Sequence, residues 1–245
     1  MARSHDGLAY ELDGQVIREQ VSVPDAVLGP DGTVWVYFNN GVPGRLSIWA
    51  ARLNPDGIEE LDCIRLDGAV NLRVMDPDVV LLPDGRFRIF FKDASFAFDP
   101  ALPTPANPQP TIRSAVSVDG LLFTVEGPAI NVLNAADPTV VQTPGGTWLM
   151  AFDLAGDTYL ASSVDGQLFE PNGIQFDFGV PELAVLPDNR LLLVPSGGGA
   201  RVYLSEDDGS SWTNQTSSID ELGFNPTIVR TAKEYLLLYN RYSNN

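Results

Sequence analysis

One unit recurs five times along this chain, and nothing else in the sequence limits its fold as tightly. A repeat of this length is one supersecondary unit that buries its apolar face only against its neighbours. The unit is a proline, an apolar run, a turn and a second apolar run. Its copies open at Val23-Pro24-Asp25, Asp76-Pro77-Asp78, Asp137-Pro138-Thr139, Val180-Pro181-Glu182 and Asn225-Pro226-Thr227. Turns follow at Pro30-Asp31-Gly32, Pro83-Asp84-Gly85, Pro144-Gly145-Gly146 and Pro187-Asp188-Asn189, with a weaker one at Ala232-Lys233-Glu234. β-rich runs such as Trp35-Val36-Tyr37-Phe38 come next. Two short strands around a Pro/Asp/Gly turn make a hairpin, because these residues preset the turn dihedrals.

A second unit alternates with the first: Ser, any residue, Asp, Gly, then an aromatic. Copies are Ser117-Val118-Asp119-Gly120 with Phe123, and Ser163-Val164-Asp165-Gly166 with Phe169. Ser205-Glu206-Asp207-Asp208-Gly209 with Trp212 is the fullest, and Asn54-Pro55-Asp56-Gly57 is degenerate. The fifth copy, Ser4-His5-Asp6-Gly7 with Tyr10, opens the chain and follows no first unit. The first unit at Asn225 in turn lacks a second. A ring repairs both gaps, with the N-terminal strand completing the last blade. Closure of this kind leaves only short, protected strand edges. The sequence therefore predicts an all-β fold, a single five-bladed β-propeller. Its blades run roughly over 21–66, 72–128, 133–176, 178–216 and 223–245 joined by 1–18. Only Ser217–Leu222 offers a helical turn.

Composition narrows the function. Hydrophobic residues make up 44%, enough for a core. The net charge of -17 repels phosphate backbones and anionic lipid, so neither nucleic acid nor membrane is an expected partner. No apolar run reaches the roughly 20 residues a spanning helix needs, and no secretory signal follows Met1. The compartment stays open. Cys63 is the sole cysteine and His5 the sole histidine. Ser-His, Cys-His and His-rich metal chemistry are thereby reduced to one histidine in a turn.

Antiparallel blades sort the loops onto two faces. The segments entering each innermost strand share a face with the loops after each second strand; we call this the funnel face. The Ser-x-Asp-Gly turns lie on the other, the turn face, where Ser and Asp cap backbone donors. Period-two alternation points the residues before and after each proline the same way, into the central funnel. Asp25, Asp76, Asp78, Asp137 and Glu182 then converge there. Crowded carboxylates raise one another's pKa, as a general acid near neutral pH requires. The ends of the second strands add Asn39, Lys92, Asp93 and Asp153, and the last blade adds Asn225 and Arg241. The Pro-rich insertion Ala94–Pro110, with Phe96 and Phe98, is placed to wall the funnel, and Trp35 to offer a sugar platform.

Ser205-x-Asp207-x-Gly209-x-x-Trp212 resembles the Asp-box, or BNR repeat, of sialidases and related propellers. Five blades with Asp-Pro strand openings resemble the furanosidase clan of glycoside hydrolase families 43 and 32. That clan uses an Asp, an Asp usually followed by Pro, and a Glu. By blade position the resemblance implies Asp25 as base or nucleophile, Asp137 as tuning residue and Glu182 as general acid, with Asp76 a rival base. The separation of Asp25 and Glu182 would then set inversion or retention. Asp25 and Glu182 follow their prolines, whereas the clan's residues precede them. Glu126-Gly127-Pro128 mimics the acid motif off the repeat register.

The expectation is a glycoside hydrolase-like propeller whose funnel carboxylates are catalytic. Asp78, Asn39, Lys92, Asp93, Asp153, Asn225 and Arg241 would bind the carbohydrate. A non-catalytic carbohydrate-binding or protein-interaction propeller is the alternative. No cofactor or metal is required, although carboxylates with carbonyls can hold Ca²⁺. The chain is read as a monomer.

Overall fold

The computed structural model describes residues 1–13, 15–43, 45–54, 57–70, 73–93, 111–196, 201–215 and 224–240. Among them there is no helix, and the strands fall into five sheets. The chain begins with β1 (Ala2–Ser4) and β2 (Glu11–Leu12), then forms β3 (Val21–Leu28), β4 (Val34–Asn40), β5 (Ile48–Asn54) and β6 (Gly57–Cys63). The short β7 (Arg65–Leu66) leads to β8 (Val74–Leu81), β9 (Phe87–Asp93), β10 (Ile112–Ser117) and β11 (Leu122–Pro128). Next come β12 (Ala136–Gln142), β13 (Trp148–Leu154), β14 (Asp157–Ser163) and β15 (Glu170–Asp177). The last are β16 (Pro181–Val185), β17 (Leu191–Pro195), β18 (Val202–Ser205), β19 (Thr213–Gln215), β20 (Phe224–Arg230) and β21 (Tyr235–Asn240).

Four sheets are meanders in chain order, opened by β3, β8, β12 and β16. The fifth runs β20, β21, β1, β2, so the N-terminal strand does complete the last blade. Ala2, Arg3 and Ser4 pair with Leu237, Leu236 and Tyr235. The innermost strands close a ring, β3 on β8, β8 on β12, β12 on β16, β16 on β20 and β20 on β3. The fold is a five-bladed β-propeller.

The apolar faces of adjacent blades make the core. Trp35, Tyr37 and Ile48 of the first blade pack with Phe87, Ile89 and Phe91 of the second. Trp35 is therefore a core residue, tilted against Phe87 and covered by Arg52, and offers no sugar platform. The Ser-x-Asp-Gly turns are hydrogen-bonded as their composition requires. In each, the Ser hydroxyl donates to Asp Oδ1 and accepts the Gly N–H, at 2.9 Å for both bonds around Ser117. Ser4, Ser163 and Ser205 do the same. His5 lies exposed in one of these turns, far from the funnel face.

These turns also lock blades together. Gly120 has φ +75, a conformation costly for residues with a Cβ, and a Cβ there would lie 2.8 Å from the Tyr37 hydroxyl of the preceding blade. That hydroxyl donates to the Gly120 carbonyl at 3.0 Å. Gly120→Ala combines left-handed strain with overpacking and is expected to cost about 2–4 kcal/mol. A chemical denaturation midpoint unchanged in this variant would contradict the interlock.

Candidate active site

Each proline that opens an innermost strand is preceded by a residue in the left-handed region. The φ values are 46 at Val23, 55 at Asp76, 45 at Asp137, 54 at Val180 and 51 at Asn225. Pairing slips by a bulge between Ser22 and Asp25, Met75 and Asp78, Ala136 and Thr139, and Phe224 and Thr227. In the fourth blade the strand starts only at Pro181. A bulge breaks the period-two alternation and re-aims side chains. The residues before and after the prolines therefore enter different environments. The expected single cluster of five carboxylates is two clusters.

The residues after the prolines form an axial ring. Each of the first four takes a backbone N–H from the neighbouring blade. Val79 N–H donates to Asp25 Oδ2 at 2.6 Å, and Val140 N–H to Asp78. Leu183 N–H donates to Thr139 Oγ1 at 3.1 Å, and Ile228 N–H to Glu182 Oε1 at 2.7 Å. Thr227 Oγ1 closes the ring by donating to Asp25 Oδ1 at 2.9 Å. All five are buried. Both oxygens of Asp25 are occupied, and Thr139 Oγ1 donates to the second oxygen of Glu182 at 3.4 Å. Asp78 Oδ2 is buried without a partner.

Burial is the main force on these groups. It raises Asp25 to about 6 against the bonds from Val79 and Thr227. Burial, then the charge of Asp25, pushes Asp78 and Glu182 well above the carboxylate range. Asp25, Asp78 and Glu182 line a cavity of about 230 Å³ that continues past Val185 to Arg230 and Tyr235. Those last residues sit toward the turn-face ends of their strands.

The residues before the prolines in the second and third blades form the other cluster. Asp76 accepts from Asn39 Nδ2 at 3.2 Å, and its own N–H donates to Asn39 Oδ1 at 3.0 Å. Two bonds to one amide tie the first blade to the second. Burial raises Asp76, while the Lys92 charge and the Asn39 bond oppose it. Burial raises Asp137 to about 7, aided by Asp76 and opposed by Lys92. Asp153 is raised by burial, with the Gly156 N–H and Lys92 opposing. Asn39, Asp76, Lys92, Asp137 and Asp153 are thus one electrostatic unit around a single ammonium. Lys92 and Asp153 lie opposite the starts of β8 and β12, which puts them on the funnel face.

The remaining expected residues fall elsewhere. Asp93 lies opposite Val74 and 4.0 Å from Arg113, at the outer side of the second blade. Asn225 is part-buried and left-handed, but its blade brings no carboxylate before the proline. Arg241, Phe96, Phe98 and Ser217–Leu222 lie outside the described residues. Glu126 is paired with buried Arg88, whose Nε and Nη2 donate to its two oxygens at 2.9 and 3.0 Å. Arg88 Nη1 also donates to the Gly166 carbonyl of the next blade at 3.1 Å, so Glu126 serves a structural staple. One site residue was missed in the sequence. Gly179 packs so closely on Asp153 that a Cβ there would collide with Oδ2. A glycine just before a strand-opening Val-Pro was the available signal. Among the described residues, no three His, Cys, Asp or Glu side chains are set to hold a metal ion.

No family profile and no curated protein matches the sequence. Solved structures do match the fold. A family 43 glycoside hydrolase (GH43_1) from Xanthomonas citri superposes with TM-score 0.67 at 14% identity, covering 91% of this chain and 82% of that one. A β-fructofuranosidase from Schwanniomyces occidentalis gives TM-score 0.67 at 14% identity, covering 96% of this chain but 54% of that one. A family 117 glycoside hydrolase from Zobellia galactanivorans gives 0.64 at 13% identity, covering 94% and 79%. The Xanthomonas enzyme has been seen with xylotriose and the Schwanniomyces enzyme with fructose. The chain has the fold of furanosidase-type glycoside hydrolase propellers.

Proposed function

We propose that this propeller cleaves a glycosidic bond at the Asp76–Asp137 cluster. One observation carries the reading: two carboxylates share a funnel, and their surroundings separate them. Lys92 favours the charged form of both, but the bond from the Asn39 amide favours that of Asp76 alone, so Asp76 ionises more readily. Asp137 is held to about 7 by burial and by the Asp76 charge. Two carboxyls pushed apart in this way make a base and an acid at one pH. Asp137 is then the general acid that protonates the leaving oxygen. Asp76 is the carboxylate that attacks or activates water. Asn39 orients Asp76, and Lys92 and Asp153 set the field around both. Asp25 and Glu182, candidates by chain order, have both oxygens occupied by bonds between blades, which leaves them a supporting role.

The test is hydrolysis of aryl furanosides and pyranosides, read by aryl alcohol release, with Asp76→Asn as control. Turnover lost in that variant supports the reading; no turnover on any substrate counts against it. Lys92→Met is a second check. Lys92 lowers both carboxylates, so its removal is expected to shift the whole pH–rate bell upward. An unmoved bell would separate Lys92 from the reaction.

A non-catalytic carbohydrate-binding propeller is favoured by a different observation. The residues before the prolines of the first and fourth blades are Val23 and Val180, where the resemblance expects carboxylates. On that reading the wild type binds sugars but releases no aryl alcohol.

A further inference from the structure

The innermost strands leave a channel along the propeller axis that runs to the turn face, away from the Asp76–Asp137 cluster. Its inner end is the axial ring, where Asp25, Asp78 and Glu182 line the cavity of about 230 Å³. Its outer end is marked by Arg230 and Tyr235, which face each other across β20 and β21. Between the two ends Val79, Val140, Val141 and Val185 make apolar walls. One ordered water needs only about 10–15 Å³ of such space, so the channel has room for a larger group.

Asp78 sets the demand at the inner end. It is 6% exposed, and its Oδ2 is buried and meets no donor. Thr139 Oγ1 stands near both Asp78 and Glu182, but a hydroxyl has one proton to give, and here it is directed at Glu182. Asp25 and Glu182 keep their bonds between blades, yet each carboxylate oxygen has two lone pairs and can accept again. The three groups also feel one another, since the charges of Asp25 and Glu182 both act on Asp78. A positive charge among them relieves that repulsion, and a neutral donor does not. Among the described residues lining the channel the only cation is Arg230, which is exposed. It lies three residues beyond Thr227 along β20, about 10 Å at the usual strand rise, where solvent screens its charge.

The walls decide what carries the charge. A hard metal ion asks for about six or more oxygens, and no three of the described carboxylates are set to converge on one. Valine side chains instead gain by covering an alkyl chain. A primary ammonium brings three N–H donors, enough for the unpaired oxygen and its neighbours.

We propose that the axial channel binds a primary ammonium on an unbranched alkyl chain, entered from the turn face and donating to Asp78 Oδ2. The inference is independent of the funnel reading. Titration calorimetry on the full chain at pH 8 tests it, with n-butylammonium chloride, n-butanol and tetramethylammonium chloride as probes. n-Butylammonium is expected to bind about tenfold tighter than either of the others, because butanol lacks the charge and tetramethylammonium lacks the donors. It should also raise the thermal midpoint of the wild type, as a ligand of the folded chain alone does. Asp78→Asn should remove the preference, with Glu182→Gln in its place if that variant does not fold by circular dichroism. Asp76→Asn, a change on the funnel face, should leave it. No binding of n-butylammonium, equal affinity for the three probes, a preference that survives the ring variant, or one lost in folded Asp76→Asn would overturn the proposal.

Discussion

Asp137→Asn is expected to lower turnover of any aryl glycoside the protein cleaves by about 10²–10⁴-fold, the usual range for a lost general acid. Affinity for the sugar should change little, because the amide keeps the shape and one acceptor. The effect follows from the environment of Asp137. Its carboxyl is largely buried beside Asp76, and on the proposed reading the proton it keeps to about pH 7 is the one the leaving group needs. An amide cannot deliver that proton. Substrates with good leaving groups need less protonation, so the loss should shrink from poor to good aryl leaving groups. A uniform loss across that series would place Asp137 in positioning rather than proton transfer. The basic limb of the pH–rate profile should fall near 7 in the wild type, the value at which Asp137 gives up its proton.

The second large effect is on stability, and it comes from the axial ring. Asp25, Asp78 and Glu182 are raised in the folded protein by burial. An acid raised above its unfolded value binds a proton in the native state that the unfolded chain has already released. Its contribution is full below the unfolded pKa and is lost as pH rises through the folded one. For Asp25 that window runs from 3.8 to about 6, on the order of 3 kcal/mol for a shift of that size. The Ser-x-Asp-Gly turns act in the opposite sense. Asp6, Asp119, Asp165 and Asp207 are lowered by their hydrogen bonds, and their contribution fades below the unfolded value. Stability should therefore peak on the acid side, near pH 4–5, and decline toward pH 8.

Asp78→Asn isolates the cause. Its Oδ2 is buried without a partner, and Asn presents there the donor that a protonated acid would. The variant should match the wild type near pH 4.5. At pH 8 it should exceed it, because the wild type must there either ionise a buried carboxyl or hold a proton that the unfolded chain has released. Urea midpoints at the two pH values give the comparison, and a variant weaker than wild type at pH 8 would refute the account of the ring.

The fold was legible because the sequence repeats its punctuation. Five prolines at strand starts, with Asp/Gly turns after them, mark the hairpins, and the unmatched copy at Ser4 reveals the closure. The grouping of the candidate residues was legible only in part. Asp76, Asp137, Asn39, Lys92 and Asp153 were all selected, yet so were Asp25, Asp78 and Glu182. Strict alternation along a strand cannot separate the two sets. What separates them is the left-handed residue before each proline, and Asp137 or Val180 in that conformation is not announced by sequence. The bonds from Val79 and Ile228 that occupy Asp25 and Glu182 cross between blades, so no local pattern encodes them. Trp35 was misjudged for a similar reason: a tryptophan in a strand reads alike whether its face meets a neighbouring blade or a ligand.

The proposed function divides the labour, with carboxylates before the prolines for chemistry and those after them for the ring. Glu182→Gln tests it most directly through two readouts on one sample. The glutamine still accepts from the Ile228 N–H but loses the second acceptor facing Thr139. The expected result is a shifted thermal midpoint and turnover per folded molecule within a few-fold of wild type. An unchanged midpoint with turnover lost by orders of magnitude would make Glu182 the working acid and contradict the account.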